Sequence, residues 1–274
     1  MKTLYVADLD GTLLRSDETI SSYTNRIINK LTAEGMIFSY ATARSFVTSK
    51  KVTKGLDARM PLIVYNGAFV IDNMTEEILI ANYFEDKVKG VFEDLFRHQI
   101  YPIVYSHRGE GEKFSFIREK CTAGMTDFLN TRKGDIRTNP VATTKELIRG
   151  NCFYITCIDE PEKLEPLYEK YKEEFHCVYQ KELYTKAQWL EIMPAAASKA
   201  NAVTQLKKLL ECERVVAFGD GRNDIDMFEV ADEGYAVENA VDELKAMATA
   251  VIGSNDEDGV ARWMEHILKV YLIS

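Results

Sequence analysis

An unbroken apolar run, Leu4-Tyr5-Val6-Ala7, is followed at once by two carboxylates, Asp8 and Asp10. A run without polar alternation predicts a strand that is covered on both faces, as the strands of parallel sheets are. The two acids then lie at the carboxyl end of that strand, and open parallel sheets bind their ligands at this edge. The start of the chain therefore predicts an α/β fold with a ligand site at Asp8 and Asp10.

Alternating helix and strand patterns surround this start and return near the end of the chain, which is typical of a layered α/β domain. The turn at Asn66-Gly67 predicts a hairpin, and Gly35 is a common kind of helix terminator. The predicted elements are helices 21–34, 198–210, 242–247 and 260–268, and strands 4–7, 36–41, 62–65, 69–71, 214–218, 235–237 and 250–252.

The pattern changes in the middle of the chain, where a helix followed by two strands occurs roughly twice. The predicted elements there are helices 85–98, 126–130 and 162–175 and strands 103–105, 114–117, 152–158 and near residues 178 and 189. This is the makeup of a separate α+β domain. We therefore expect a core domain, residues 1–82 and 191–274, with a doubly wound, mainly parallel sheet, and an inserted α+β domain, residues 83–190.

The composition, 46% hydrophobic and 28% charged over 274 residues, is that of a globular protein with one or two domains. A net charge of −9 without a basic block gives no sign of a nucleic-acid or anionic-membrane partner. No stretch approaches the roughly 18 uncharged residues of a membrane helix, so we expect a cytoplasmic protein. The five cysteines contain no C-x-x-C pair and predict reduced thiols.

Polar side chains follow several predicted strands of the core, and the ends of such strands meet along one edge of a doubly wound sheet. Carboxylates that converge there repel one another unless a cation lies between them. Oxygen ligands select a hard ion, and Mg²⁺ is the usual one where a phosphate also contributes. The residues at these strand ends are Asp8, Asp10, Thr42, Arg44, Asn66, Asp220, Asn223 and Asp224.

Two other interpretations of the acidic motifs fail on the letters. A calcium-binding loop that began at Asp8 would need glycine and glutamate where the chain has Leu13 and Thr19. A dinucleotide-binding fingerprint at Gly219-x-Gly221 would need a small third residue where the chain has Asp224.

The chain contains DLDGT at 8–12, Thr42-Ala43-Arg44, Lys199 in SKANAV, and GDGRNDIDM at 219–227. Together these four segments resemble the motifs of the haloacid dehalogenase superfamily of phosphatases. The insert, the NGA at 66–68 and the SNDEDGVA at 254–261 resemble the Cof-type branch, whose insert is an α/β cap. Ala43 and Ala200 stand where the family usually has glycine, and because each differs by one methyl group we expect slight backbone adjustment and no loss of the site.

The resemblance implies a role for each site residue. Asp8 is the nucleophile that forms an aspartyl-phosphate and is also a Mg²⁺ ligand. Asp10 is the general acid and base, and its backbone carbonyl also binds Mg²⁺. Asp220 is a further Mg²⁺ ligand, and Asn223 and Asp224 either complete the metal shell or hold Lys199 and water. The phosphate or substrate contacts are Gly11, Thr12, Thr42 and Lys199, together with Arg44 and Asn66, although Arg44 is as well explained by a structural ion pair.

The resemblance thus implies a Mg²⁺-dependent phosphatase for small phosphomonoesters, such as sugar phosphates or related metabolites. The expected partner is such a metabolite, and we expect a monomer or a weak dimer. Two alternatives stay open: a phosphosugar mutase similar to the phosphomannomutases, and a sugar-phosphate sensor without catalysis. A sensor needs phosphate contacts but does not need both Asp8 and Asp10.

Overall fold

A computed structural model describes residues 1–109, 111–181 and 187–271 of the chain. It divides into two units, Met1–Ala81 with Ala197–Ser274, and Asn82–Ala196. Each unit carries its own sheet. The mixed α/β architecture with a mainly parallel core sheet confirms the predicted fold class.

The first unit begins with the predicted alternation of strand and helix. Ser21 caps the first helix by accepting a hydrogen bond from the Thr24 amide, and Ile27 and Leu31 lie buried on its inner face. The elements are β1 (Thr3–Asp8), α1 (Ser22–Ala33), β2 (Ile37–Ala41), α2 (Phe46–Val52), β3 (Pro61–Val64), β4 (Phe69–Asp72) and β5 (Ile78–Ala81). The hairpin predicted from Asn66-Gly67 joins β3 to β4, which pair antiparallel.

The second unit is a six-stranded sheet with helices. Its elements are α3 (Val88–Arg97), β6 (Ile103–Arg108), β7 (Gly111–Ile117), α4 (Ala123–Asn130), β8 (Thr138–Val141), α5 (Thr144–Leu147), β9 (Asn151–Asp159), α6 (Pro161–Tyr171), β10 (His176–Lys181) and β11 (Gln188–Met193). The strand order is β10-β11-β9-β6-β7-β8, and among the described residues of this sheet β7 and β8 are the one pair that runs parallel. Leu95 of α3 and Leu164 of α6 pack with Val104 and Ile155 in the core of this unit.

The chain then returns to the first unit through α7 (Lys199–Leu209), β12 (Arg214–Gly219), α8 (Ile225–Glu229), β13 (Glu233–Val237), α9 (Asp242–Met247), β14 (Ala250–Ile252) and α10 (Gly259–Tyr271). The eight strands lie in the order β14-β13-β12-β1-β2-β3-β4-β5, and all pair parallel except β4 and β5. β1 is therefore central, and its neighbours β12 and β2 end beside it. The apolar run that opens the chain is thus a strand of the sheet interior, as predicted.

All five cysteines are free thiols, and Cys152, Cys157 and Cys212 are buried. Burial raises the pKa of the Cys152 thiol to about 11, so this group is neutral at physiological pH. Among the described residues, no helix has both the length and the apolar character needed to cross a bilayer.

Candidate active site

Asp8 lies at the carboxyl end of the central strand and is almost wholly buried, with 4% of its surface exposed. Ala7 pairs with Phe218 in the parallel ladder between β1 and β12. Asp8 therefore ends β1 next to the point where β12 ends at Gly219. This register brings the first acidic motif and the Asp220 motif together, although they lie far apart in sequence.

Lys199 is the cation of this site and is 2% exposed. It is the first residue of α7, whose start is capped by the Ser198 side chain. Its ammonium group donates hydrogen bonds to Oδ1 of Asp8 and to Oδ1 of Asp224, the latter at 2.7 Å. A buried lysine thus joins the first and last acidic motifs.

Gly67 lets the start of α7 approach the β3–β4 turn. Its φ is +92°, and a Cβ atom at this position would lie 2.3 Å from the carbonyl oxygen of Ser198. No side chain fits in that space, so glycine is required for this approach. The turn that predicted a hairpin therefore also sets the position of Lys199.

Three carboxylates lie close to one another at this point, and two of them contact the ammonium group of Lys199. One oxygen from each of Asp8, Asp220 and Asp224 lies within 4.8 Å of the others. Burial raises the pKa of Asp8 well above its usual range, Asp224 adds to the rise, and Lys199 opposes it. Burial and Asp224 also raise the pKa of Asp220 to about 6. A single ammonium group leaves this cluster with excess negative charge, and a hard divalent cation fits its oxygen donors.

Asp224 is fully buried, and both of its carboxylate oxygens have partners. Oδ2 accepts hydrogen bonds from the amides of Asp220 and Gly221, each at 3.0 Å, while Oδ1 accepts from Lys199. The carboxylate therefore fixes both the loop after β12 and the ammonium group. Burial alone would lower the pKa of Lys199, but the Asp8 and Asp224 carboxylates outweigh it and raise that pKa.

The chain turns sharply after Asp8, and glycine is required in this turn. Gly11 has a φ of +82°, and a Cβ atom there would lie 2.4 Å from Oδ2 of Asp220. The Thr12 hydroxyl donates a hydrogen bond to Oδ1 of Asp220 at 3.0 Å. Two asparagines stabilise the turn through its backbone. Asn239 donates to the Gly11 carbonyl at 2.7 Å, and Asn255 donates to the Leu14 carbonyl at 2.9 Å.

Asp10 lies apart from the three clustered carboxylates. The guanidinium of Arg44 contacts both of its carboxylate oxygens, at 2.6 to 3.0 Å, and also contacts Glu18 at 2.9 Å. The hydrogen bond with Asp10 raises the pKa of Arg44 above its usual value. The structure thus brings together three of the four acids that the sequence placed at one point, and it pairs the fourth with Arg44.

The remaining predicted residues lie at the same ends of β2, β3 and β12. Thr42 is buried, its hydroxyl accepts a hydrogen bond from the Arg44 amide at 3.1 Å, and its carbonyl accepts from the Asn66 amide at 2.9 Å. Asn66 is also buried and has a left-handed φ of +51°. Asn223 is exposed and lies beside Gly221.

Sequence reasoning gave no role to three residues that shape this site, Glu18, Asn239 and Asn255. Asn255 lies in the SNDEDGVA segment, which the sequence connects with the family resemblance but not with a contact in the site. Its position under the 9–13 turn depends on the tertiary fold. Glu18 and Asn239 lie in segments without a pattern, so no signal in the sequence separates them from other polar loop residues.

Residues 5–264 match the family described as haloacid dehalogenase-like hydrolase. The chain is 29% identical over 280 residues to the 5-amino-6-(5-phospho-D-ribitylamino)uracil phosphatase YwtE of Bacillus subtilis, covering 95% of this chain and 96% of that protein. It is 24% identical over 277 residues to the HMP-PP phosphatase of Serratia proteamaculans, covering 98% and 96%. The crystal structure of TM0651 from Thermotoga maritima has a TM-score of 0.79 at 27% identity and covers 97% of both chains.

Proposed function

Since the chain belongs to the haloacid dehalogenase-like hydrolases and is a phosphatase of that superfamily, we propose that it hydrolyses small phosphomonoesters with Mg²⁺ through a phosphorylated Asp8. One observation carries the proposal: the buried ammonium group of Lys199 contacts Asp8 and Asp224, with Asp220 beside them. A nucleophilic carboxylate, a fixed positive charge and a group of oxygen donors thus lie at one point of the sheet edge.

In the first step an oxygen of Asp8 attacks phosphorus and the bond from phosphorus to the ester oxygen breaks. Asp10 gives a proton to the leaving oxygen, so an alcohol departs and Asp8 carries the phosphoryl group. Lys199 lies where negative charge develops on the phosphoryl oxygens. In the second step water attacks phosphorus, Asp10 takes the proton of that water, and the bond from phosphorus to Asp8 breaks. Inorganic phosphate leaves and Asp8 is restored.

The donor set of this chain fits Mg²⁺. The carboxylates of Asp8 and Asp220 and the backbone carbonyl of Asp10 would hold it, and Asp224 would either join them or fix Lys199 and the loop. When bound there, Mg²⁺ supplies positive charge that offsets the clustered carboxylates and the phosphate. Without it, the raised pKa of Asp220, about 6, reflects burial and repulsion by Asp224.

Backbone and side-chain donors around the cluster would bind the phosphate. Gly11 and Thr12 lie in the turn after Asp8, and Thr42 and Asn66 lie at the ends of the next two strands. Asn223 would contribute its amide from the loop after β12. In this proposal residues 1–82 and 191–274 form the catalytic core, and residues 83–190 act as the cap that selects the substrate.

The substrate class we propose is a sugar phosphate or a related metabolite. Support comes from the names of two relatives. The relative from Bacillus subtilis is named as a phosphatase of 5-amino-6-(5-phospho-D-ribitylamino)uracil, and the one from Serratia proteamaculans as a phosphatase of HMP-PP. The test is a panel of phosphorylated metabolites incubated with the protein and Mg²⁺, with release of inorganic phosphate as the readout. Release from sugar phosphates supports the proposal. An isomeric sugar phosphate without free phosphate would indicate a mutase, and binding without turnover would indicate a sensor.

A further inference from the structure

The pair of Arg44 and Asp10 has a geometry that fixes a carboxylate in one position. Nε of Arg44 lies 3.0 and 2.9 Å from the two oxygens of Asp10, and Nη2 lies 2.6 Å from Oδ1. A guanidinium that contacts both oxygens sets the orientation of the carboxylate as well as its distance. The Asp10 side chain is 45% exposed, so without this contact it would sample several rotamers.

Arg44 is itself held from two directions. Its amide donates to the hydroxyl of buried Thr42 at 3.1 Å, and its carbonyl accepts from the Tyr65 amide at 2.9 Å, which fixes the backbone. Its Nη2 contacts Oε2 of Glu18 at 2.9 Å, which fixes the guanidinium. The same nitrogen therefore contacts Glu18 and Asp10.

The loop that carries Glu18 is anchored at its start and is closed by a hydrogen bond between its two ends. Ser16 donates to both carboxylate oxygens of Asp256, at 2.9 and 2.7 Å, and Arg15 pairs with Asp258 at 2.8 Å. The Arg15 amide donates to the Thr19 carbonyl at 2.9 Å, which closes the turn. Asp256 and Asp258 of the SNDEDGVA segment thus anchor the loop that carries Glu18.

Glu18 has a backbone conformation that side chains rarely adopt, with a φ of +60°. Its side chain is 70% exposed, and an ion pair this exposed contributes little to stability. A strained residue whose contact hardly stabilises the fold suggests a functional constraint. The contact that Glu18 makes is with Nη2 of Arg44, the nitrogen that also contacts Oδ1 of Asp10.

We propose that Arg44 is a positioning residue for Asp10 and that Glu18 positions Arg44, so that the 15–19 loop controls the hydrolysis of phosphorylated Asp8. This inference rests on the proposed function. In that second step the oxygen of water bonds to phosphorus, the bond from phosphorus to Asp8 breaks, and Asp10 takes the proton. The base must be aimed at the water, and a guanidinium that contacts both oxygens of Asp10 holds the carboxylate in one orientation.

The experiment follows an aryl phosphate, whose leaving group hardly needs a proton, in rapid-mixing measurements with Mg²⁺. The phenol burst reports the first step, and the lifetime of the phosphorylated chain by intact mass reports the second. Arg44→Gln should leave the burst unchanged and lengthen that lifetime about 10-fold or more, a part of the roughly 10²- to 10⁴-fold that general base catalysis supplies. Arg44→Lys keeps the positive charge but has one nitrogen in place of the guanidinium. Its phosphorylated chain should have a lifetime between those of the wild type and Arg44→Gln. Glu18→Gln should act in the same direction with a smaller effect.

Two control variants test whether a change of charge, or any change in the 15–19 loop, is enough to lengthen the lifetime of the phosphorylated chain. Asp17→Asn removes the same charge from the same loop and keeps the oxygen that accepts from Thr19, and Arg59→Gln removes an exposed arginine paired with Asp72. Both should behave as the wild type. In an Asp10→Asn background, Arg44→Gln and Glu18→Gln should add no further effect, because they act through Asp10.

The inference is overturned if Arg44→Gln slows the burst and the dephosphorylation equally, or if it keeps its full effect in the Asp10→Asn background. An Arg44→Lys variant that behaves as the wild type also overturns it, because charge alone would then suffice. A phosphorylated chain in Asp8→Asn would instead refute the proposed function, so the two failures are distinguishable.

Discussion

The ammonium group of Lys199 donates a hydrogen bond to the carboxylate of Asp8, although 191 positions separate the two residues. The parallel pairing of β1 with β12 and the close approach of Gly67 to the start of α7 together bring them into contact. This contact gives buried Asp8, the proposed nucleophile, a positively charged neighbour inside the fold.

Replacing Lys199 by methionine should abolish turnover and destabilise the metal-free protein by about 3–5 kcal/mol, the usual effect of removing one partner of a buried ion pair. The physical reason is that Asp8 and Asp224 would remain buried without their cation. Denaturant unfolding in the presence of a chelator measures the change. Lys208→Met, an exposed change on the same helix, is the control, and equal stability of the two variants would contradict the account.

Removing divalent ions should stop phosphate release while the fold persists, and Mg²⁺ should restore it. The carboxylates are clustered only in the folded chain, so Mg²⁺ would bind the folded chain and not the unfolded one. It should therefore also raise the melting temperature. Asp220→Asn should lose both effects, whereas Glu229→Gln, an exposed change on α8, should keep them. Full turnover in excess chelator would refute the metal assignment.

Gly67→Ala should lower both stability and activity. A left-handed φ with a side chain costs roughly 1–2 kcal/mol, and here the added Cβ would also meet the Ser198 carbonyl. Gly35→Ala is a matched control, since Gly35 has a φ of +99° but no atom lies within 4 Å of its added Cβ. Thermal unfolding and phosphate release should show a larger loss for Gly67→Ala, with activity affected in that variant alone. Equal effects would mean that the close approach does not position Lys199.

Glu191 should give the second unit a measurable pH dependence. Burial raises the pKa of its carboxyl group from the ordinary 4.5 to about 7, against a hydrogen bond with Tyr154 that lowers it. The folded chain then binds more protons than the unfolded chain between these values, so the free energy of unfolding falls as the pH rises from about 4.5 to about 7. Denaturant unfolding across this range should show a shallower fall for Glu191→Gln. Exposed Glu162→Gln should leave the profile unchanged, and a fall of wild-type size in Glu191→Gln would contradict the assignment.

Much of the fold was predictable because its strands are short apolar runs that end in polar motifs. β1, β2, β3 and β12 followed from this pattern, and the match of residues 5–264 to the haloacid dehalogenase-like hydrolases confirms the resemblance stated from the motifs. Other elements lacked such a signal. β8 contains Pro140, and a proline in a sequence argues against a strand, although an edge strand tolerates it. α5 is a single capped turn, too short for a helical pattern.

The structure brings Asp8, Asp220 and Asp224 together, as the positions of the strand ends predicted, whereas the individual contacts of the site could not be predicted. A lysine at a helix start is usually exposed, so Lys199 was found by resemblance and not by its pattern. The contacts of Arg44 with Asp10 and Glu18 depend on how the tertiary fold places these loops, and a loop of mixed polar residues gives no sign of that. The boundaries proposed for the catalytic core and the cap, and the roles of the site residues, stay predictions.

The most direct test of the central claim compares Asp8→Asn with Asp10→Asn after rapid mixing with an aryl phosphate and Mg²⁺. Asp10→Asn keeps the nucleophile and loses the base, so intact mass should show a phosphorylated chain, and a burst of phenol should accompany it. Slowing of the second step by about 10²- to 10⁴-fold is enough for the intermediate to accumulate. Asp8→Asn should show neither signal. A phosphorylated chain in Asp8→Asn, or no burst in Asp10→Asn, would contradict the assignment of Asp8 as the nucleophile and Asp10 as the acid and base.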